Sequence, residues 1–385
     1  MKVLFTGDLC FCGAFDQRLS QGKAVFGPKL QALLKQQDAI IGNWEGPLWS
    51  EEMGLPAPKI WQREAALVYL QQQGFTHLNL ANNHSFDLGE KHFFQNQRKI
   101  AAAGIESFGA GKDLASAMQP AIIPLQTGRL LVFGASFQES PPATSRSAGV
   151  FYPGRGTAFL RDIRPQLQQG DQAIFCYHGE EEYTTQPLPA RRKWLHQLAK
   201  SGLFSAIICH HPHVLQGRET IAGVPIYYSL GNTVFDVPGH HHRSFTDLGA
   251  LVEVTITAEA VAHEWQVIRL DREIGMVTCL PGTEIAEHVA SLNRFDRPSH
   301  RWRAEAWRVF QEERMPTPAK KTGENDGKAP AKDSHARWQK LFRVSFYRSL
   351  FATLRYRNSR SILFSALRHW GAQRLGRNRE APPIE

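Results

Sequence analysis

The sequence predicts an α/β protein, on three observations. Short apolar segments alternate with amphipathic ones over roughly the first 235 residues, the pattern of βαβ units folded on a buried sheet. Residues of metal-binding type fall just past the ends of those apolar segments, where open α/β sheets keep their functional loops. The charge is segregated: residues 1–300 hold 26 Lys/Arg against 28 Asp/Glu, and residues 301–385 hold 19 against 8. The net charge of +9 therefore belongs to a basic C-terminal tail and not to the α/β body.

In chain order, strands are expected over residues 2–6, 39–42, 77–81, 130–135, 173–177, 206–209 and 225–229, each a short apolar run. Apolar residues at helical spacing predict helices over 27–37, 63–73, 90–103 and 189–201. Two alternating segments, 248–256 and 264–270, read as an antiparallel pair that closes the domain. The expected organisation is a main domain over 1–275, a connecting segment over 276–314, and a flexible linker over 315–334, rich in Pro, Lys, Gly and Ala. A basic helical tail over 335–385 follows. There Trp338, Leu341, Phe342, Phe346, Leu350 and Leu354 recur at helical spacing among Lys340, Arg343, Arg348 and Arg355. Such a tail fits an anionic membrane surface, or a helical pair packed on the main domain or a partner. No recognised nucleic-acid motif accompanies it, so nucleic acid is not an expected partner.

The five cysteines, at 10, 12, 176, 209 and 279, are odd in number and form no CxxC pair. No apolar run has the form of a signal peptide or a membrane span. The expectation is a reduced, cytoplasmic protein, with peripheral contact at the inner membrane face through the tail.

The chemistry gathers in five groups: Gly7-Asp8, Asn43-Trp44-Glu45, Asn82-Asn83-His84, His178, and His211-Pro212-His213. Asp8 and Glu45 offer anionic oxygen, Asn83 a neutral oxygen, and His178, His211 and His213 imidazole. These are ligands for a borderline divalent metal such as Zn, Mn or Fe. Two ions about 4 Å apart can share one carboxylate and clamp a displacement at phosphorus. His84, beside Asn83, is placed as a general acid, with Asp87 orienting its imidazole. Less weight falls on His240-His241-His242, beside Pro238 and Gly239, which reads as an exposed loop. Arg191-Arg192-Lys193 reads as a solvated helix face, Trp44 as core, and Gly231 as a tight turn.

At these residues the chain resembles the bacterial capsule-synthesis family of the CapA/PgsA type (the PGA_cap domain), within the calcineurin-like metallophosphoesterase superfamily. That family shows a first strand ending GD, then NLE, ANNHxxDxG, a histidine motif with a nearby Glu-Tyr, HPHVxQ and YSLGN-FD. The corresponding residues here are Gly7-Asp8, Asn43-Trp44-Glu45, Ala81-Asn82-Asn83-His84 with Asp87 and Gly89, and His178 with Glu182-Tyr183. His211-Pro212-His213-Val214 with Gln216, and Tyr228-Ser229-Leu230-Gly231-Asn232 with Phe235-Asp236, complete the set. The resemblance implies a four-layer α/β/β/α sandwich of metallophosphoesterase type. It implies two divalent ions, or one, held by Asp8, Glu45, Asn83, His178, His211 and His213, with His84 as the acid. Asn43, Asn82, Glu182 and Asn232 are expected to face substrate. Phosphoesterases of the superfamily begin Asp-x-His, whereas Cys10 stands at that third position. One ion would then keep Asp8, Glu45 and His213, and the other Glu45, Asn83, His178 and His211, unless Cys10 ligates as a thiolate. Glu180 stands where the family commonly has Gly.

The expected function is that of a metal-dependent hydrolase of phosphate esters in capsule or cell-envelope polymer synthesis, of poly-gamma-glutamate or polysaccharide type. The alternative is a non-catalytic binding or assembly subunit of the same machinery. Expected partners are an anionic polymer or phosphate ester and cell-envelope synthesis proteins.

Overall fold

A computed structural model describes residues 1–137 and 140–312. The chain divides into two compact units, Met1–Pro298 and Ser299–Glu385.

The first unit is built on two large sheets. One runs in the order Met276–Cys279 (β16), Val261–Asp271 (β15), Leu248–Ile256 (β14), Lys2–Cys10 (β1), Ala39–Trp44 (β2), His77–Asn79 (β3) and Glu106–Phe108 (β4), with Asn232–Phe235 (β13) beside β1. The other runs Leu215–Ile221 (β11), Val224–Leu230 (β12), Ala206–His210 (β10), Gln172–His178 (β9), Arg129–Ser136 (β7) and Ala121–Pro124 (β6). Ala110–Gly111 (β5) and Gly149–Val150 (β8) form a small separate ribbon. The helices are Ala14–Ser20 (α1), Pro28–Leu34 (α2), Glu64–Gln72 (α3), Gly89–Ala102 (α4), Leu114–Ala117 (α5), Leu160–Ile163 (α6), Pro189–Ala199 (α7), Ala286–Leu292 (α8) and Pro298–Glu312 (α9).

The period of two along a strand sorts side chains into layers. On β1, Val3 and Phe5 face the second sheet and join Val132, Ile174 and Ile208 in a core between the sheets. Leu4 faces the other way, with Ile40 and Leu78, onto Leu30, Leu67, Leu70, Phe93 and Ile100 of α2, α3 and α4. Behind the second sheet, Leu131, Phe133, Phe175 and Ile207 pack on Leu160, Trp194, Leu195 and Leu198 of α6 and α7. The result is the α/β/β/α sandwich. β1 to β4 are mutually parallel and so require crossover helices. β14 and β15 pair antiparallel.

The expected end of the main domain at residue 275 falls inside this unit. β16 pairs with β15, and Leu292 of α8 lies in the core between the sheets. In the second unit the described residues belong to α9, whose Trp302, Ala306, Val309 and Phe310 are buried at helical spacing. The linker over 315–334 and the basic tail over 335–385 lie outside the described residues. Among the described residues no helix is long and apolar enough to cross a membrane.

Candidate metal centre

The two sheets bring the carboxyl ends of their central parallel strands together. Asp8 of β1 lies in register with Asn43 of β2 and Asn232 of β13, and Glu45 follows β2 directly. His178 is the last residue of β9, and β10 leads into His211 and His213. The approach of β1 to the β12–β13 turn is close: a Cβ on Gly7 would stand 2.1 Å from the Gly231 carbonyl oxygen. Gly231 itself has φ +62, so both glycines are steric requirements. His211 and His213 also have positive φ, +95 and +57, in the region where non-glycine residues are uncommon and cluster at functional sites.

Glu45 is the hub. Its Oε1 stands 3.8 Å from His178 Nε2 and 3.7 Å from His213 Nε2. His178 Nε2 is in turn 2.8 Å from Asn83 Oδ1 and 3.1 Å from His211 Nδ1. Asp8 Oδ2 is 3.4 Å from His213 Nδ1. Two sets of donors able to hold one ion result, Glu45 with His178 and His211, and Asp8 with Glu45 and His213, sharing Glu45. At bonds of roughly 2.0–2.2 Å, tetrahedral ligand atoms lie about 3.3–3.6 Å apart, so these spacings suit a common ion.

Electrostatics give the test of fit. Glu45 is 0% exposed, and neither of its carboxylate oxygens has a hydrogen-bond partner. Burial, with the charge of Asp8 beside it, pushes its carboxyl well above the usual carboxylate range. Burial lifts Asp8 to about 7, against hydrogen bonds from Asn43 and His211. The imidazoles move the other way, His211 and His213 down to about 3 by burial, and His178 well below its usual value by burial and the neighbouring His211. A buried anion without a partner is costly, and a divalent cation at the shared carboxylate would satisfy it. The donor set fits Mn, Fe or Zn.

His84 stands at the edge of this cluster, with Nε2 4.0 Å from Glu45 Oε1 and Nδ1 2.8 Å from Asp87 Oδ2. Three residues expected to face substrate instead face inward. Asn43 donates to Asp8 Oδ1 at 2.8 Å, lies 3.1 Å from His178 Nδ1, and accepts from Asn79 at 3.1 Å. Asn82 donates to the Trp44 carbonyl at 2.6 Å and accepts the His84 backbone N–H at 3.1 Å. Asn232 accepts from His213 Nδ1 at 3.0 Å and donates to the carbonyls of His213 and Thr246. The amides of Asn43 and Asn232 are used up in aiming ligands, as supports of metal ligands commonly are, and that of Asn82 in fixing the loop between Trp44 and His84. Glu182 alone of the four is partly exposed, its side chain at 39%, with Oε1 3.8 Å from His211 Nε2. Replacing Asn232 by Ala should weaken metal binding about 10–100-fold without unfolding the chain, as read by equilibrium dialysis with Zn²⁺ or Mn²⁺. Unchanged affinity would remove Asn232 from the support of His213.

Three further readings of the sequence are corrected. Cys10 belongs to no ligand cluster among the described residues. Its sulfur lies 3.5 Å from the Trp61 carbonyl oxygen, and the side chain packs in the apolar core behind the first sheet. His240 is not on an exposed loop: it is 3% exposed, stacked on Phe235 with centroids 5.0 Å apart and 4.7 Å from the His213 ring. His241 and His242 are exposed. Arg191, expected on a solvated face, is wholly buried. It donates to Glu181 and Gln216 through Nη2 and to the Tyr228 carbonyl through Nη1, joining the loop after His178 to the strand after His213.

Sequence reading also missed Gln62. Its buried amide accepts from the Phe11 N–H at 2.9 Å and donates to the Glu45 carbonyl at 3.2 Å, fixing the backbone at the hub. No periodic signal marks it. Glu180 has φ +88, which accounts for glycine being common there in the resembled family. Here Tyr177 donates to its Oε1 at 2.9 Å and Arg155 lies 3.1 Å from its Oε2.

Comparison with known proteins places these residues in one frame. The family model described as "Bacterial capsule synthesis protein PGA_cap" matches residues 2–237, which contain every proposed ligand. The PGA biosynthesis protein CapA of Bacillus subtilis (strain 168) is 26% identical over 249 residues, covering 61% of this chain and 63% of that protein. The capsule biosynthesis protein CapA of Bacillus anthracis is 30% identical over 217 residues, covering 53% and 52%. The chain thus spans less than two thirds of the length of each. A solved structure, the calcineurin-like phosphoesterase YfkN from Bacillus subtilis, aligns with a TM-score of 0.40 at 15% identity, over 82% of this chain and 99% of that one.

Proposed function

The chain belongs to the bacterial capsule synthesis family PGA_cap, and from that premise we propose that it is a metal-dependent phosphoesterase-like protein of capsule or cell-envelope polymer synthesis. The observation that carries the chemical half of the proposal is Glu45, a wholly buried carboxylate with both oxygens unpartnered between His178 and His213. Glu45, Asn83, His178 and His211 would hold one divalent ion, and Asp8, Glu45 and His213 another. Ions bound there supply Lewis-acid polarisation of a phosphate oxygen and fix the line of displacement.

The chain's own groups do the rest. Asn43 and Asn232 aim Asp8, His178 and His213 through the hydrogen bonds above. Asp87 holds His84 by Nδ1, which leaves Nε2 turned towards the cluster to carry a proton. His84 is 17% exposed in its side chain, within reach of a substrate, and delivers that proton to the leaving oxygen. The substrate class that fits is a phosphate ester, carried by or preparing an anionic polymer.

His84→Ala tests this reading. Turnover of bis(p-nitrophenyl) phosphate or p-nitrophenyl phosphate should fall by about 10²–10⁴, while metal content stays at the wild-type level. Equal turnover in the two proteins contradicts the assignment. One observation favours the second reading, a binding or assembly subunit: Cys10 gives no ligand, so the Asp8 seat has three donors only. A wild-type chain that retains metal yet turns over neither ester would favour that reading.

A further inference from the structure

The buried seats account for both orphaned oxygens of Glu45, and among the ligands they leave His211 Nε2 without a partner. His211 is 0% exposed, its Nδ1 faces His178, and its Nε2 has no hydrogen-bond partner. That nitrogen points at Glu182 Oε1, 3.8 Å away, a separation too long for a hydrogen bond and equal to that between Glu45 and His178. Glu182, His211 and His213 form a third set of donors close enough to hold one ion. Its carboxylate is the partly exposed member, at 39%, whereas Asp8 and Glu45 are buried completely.

We propose that Glu182, His211 and His213 make an outer loading seat, through which a divalent cation passes from solvent to the buried centre. The inference rests on the metal-centre reading of the inner residues. The outer seat shares His211 and His213 with the inner ones, so an ion there and full occupancy within exclude each other. That suits a way-station rather than a resident site. A hydrated divalent cation cannot give up its water at once without a large cost. At the mouth it exchanges part of that water for one exposed carboxylate and two imidazoles. Glu45, 3.7 Å from His213 Nε2, would then take the place of Glu182, and His211 Nδ1, which faces His178, would serve the inner seat. The anionic carboxylate at the entrance also raises the local cation concentration.

Glu182→Gln in the full chain tests the inference, with Co²⁺ as the probe after chelator stripping. Uptake is followed by stopped-flow visible absorption, and the final amount bound by equilibrium dialysis. The expected result is an uptake rate reduced about tenfold, with the plateau absorption and the bound Co²⁺ unchanged. Glu182→Lys should be slower still. Since the side chain is partly exposed, thermal melting of both variants should match wild type. Equal uptake rates for wild type and Glu182→Gln would overturn the proposal. A lower plateau would also overturn it, by making Glu182 a resident ligand. Failure of the wild-type chain to bind Co²⁺ at all would instead sink the metal-centre reading beneath it.

Discussion

Replacing Glu45 by Gln should strip the centre of its ions and abolish phosphate-ester turnover while leaving a folded chain. Glu45 is common to both inner donor sets, so its loss removes an anionic ligand from each at once. Outer supports of a metal site cost about 10–100-fold in affinity when removed, and a shared first ligand should exceed the upper end of that range. In the metal-free chain, where burial and Asp8 already push the Glu45 carboxyl well above the usual carboxylate range, the amide is a close stand-in for the neutral acid. The stabilisation that Zn²⁺ or Mn²⁺ gives by mass action, about 2.7 kcal/mol at a hundred times the dissociation constant, should therefore vanish in Glu45→Gln. Differential scanning calorimetry with and without metal reads this directly. A variant that keeps its metal-induced rise in Tm would place the ions elsewhere.

The second large effect is expected at Arg191. Its guanidinium is wholly buried and is shared between Glu181, Gln216 and the Tyr228 carbonyl, while the Leu188 N–H also donates to Glu181 at 3.0 Å. Arg191→Met leaves the Glu181 carboxylate buried without its counter-charge. Breaking such a pair from one side costs about 3–5 kcal/mol, which in a domain of this size lowers Tm by on the order of 10 °C. Removing both charges, as in Arg191→Met with Glu181→Leu, should recover most of the loss, because the penalty lies in the stranded ion more than in the absent bond. Urea melts of the two single variants and the double variant measure the coupling. A loss below about 1 kcal/mol in Arg191→Met would show the pair to be solvated.

Arg191 also shows what the sequence contained and how it was obscured. Arg191, Trp194, Leu195, Leu198 and Ala199 are the buried positions of α7, an i, i+3, i+4, i+7, i+8 stripe. The register placed position 191 on the core face, but two further basic residues beside it gave the look of a solvated run. His240 was obscured in a similar way. Pro238 and Gly239 announce a turn correctly, and a short 3₁₀ turn is present. What buries the imidazole is Phe235 beneath it and Tyr183 beside it, with Tyr183 Oη 3.2 Å from His240 Nε2, a contact across 57 residues.

The ligand types were legible because Asp, Glu, Asn and His at the ends of apolar strands have few other reasons to recur. Their convergence was not legible from periodicity. It depends on two sheets meeting at their carboxyl ends, which the resemblance to a known family implied and the distances from Asp8 and Glu45 to His178 and His213 show. The roles of Asn43, Asn82 and Asn232 needed coordinates, since an amide at the site can turn to substrate or to a ligand. Neighbouring strands decide it: Asn43 meets Asp8 because β1 and β2 pair in that register. The boundary expected at residue 275 falls just before a further strand of the same sheet, for a local reason. β16 is a four-residue edge strand, too short to show a period.

The central claim is that Glu45 is partnered by a metal ion. Equilibrium dialysis of the full chain, prepared without a histidine tag and stripped by chelator, against Zn²⁺ and Mn²⁺ tests it most directly when run beside Glu45→Gln. Wild type should retain at least one ion per chain, at a level the variant does not reach. Wild-type protein that retains none, or no more than Glu45→Gln, would contradict the claim.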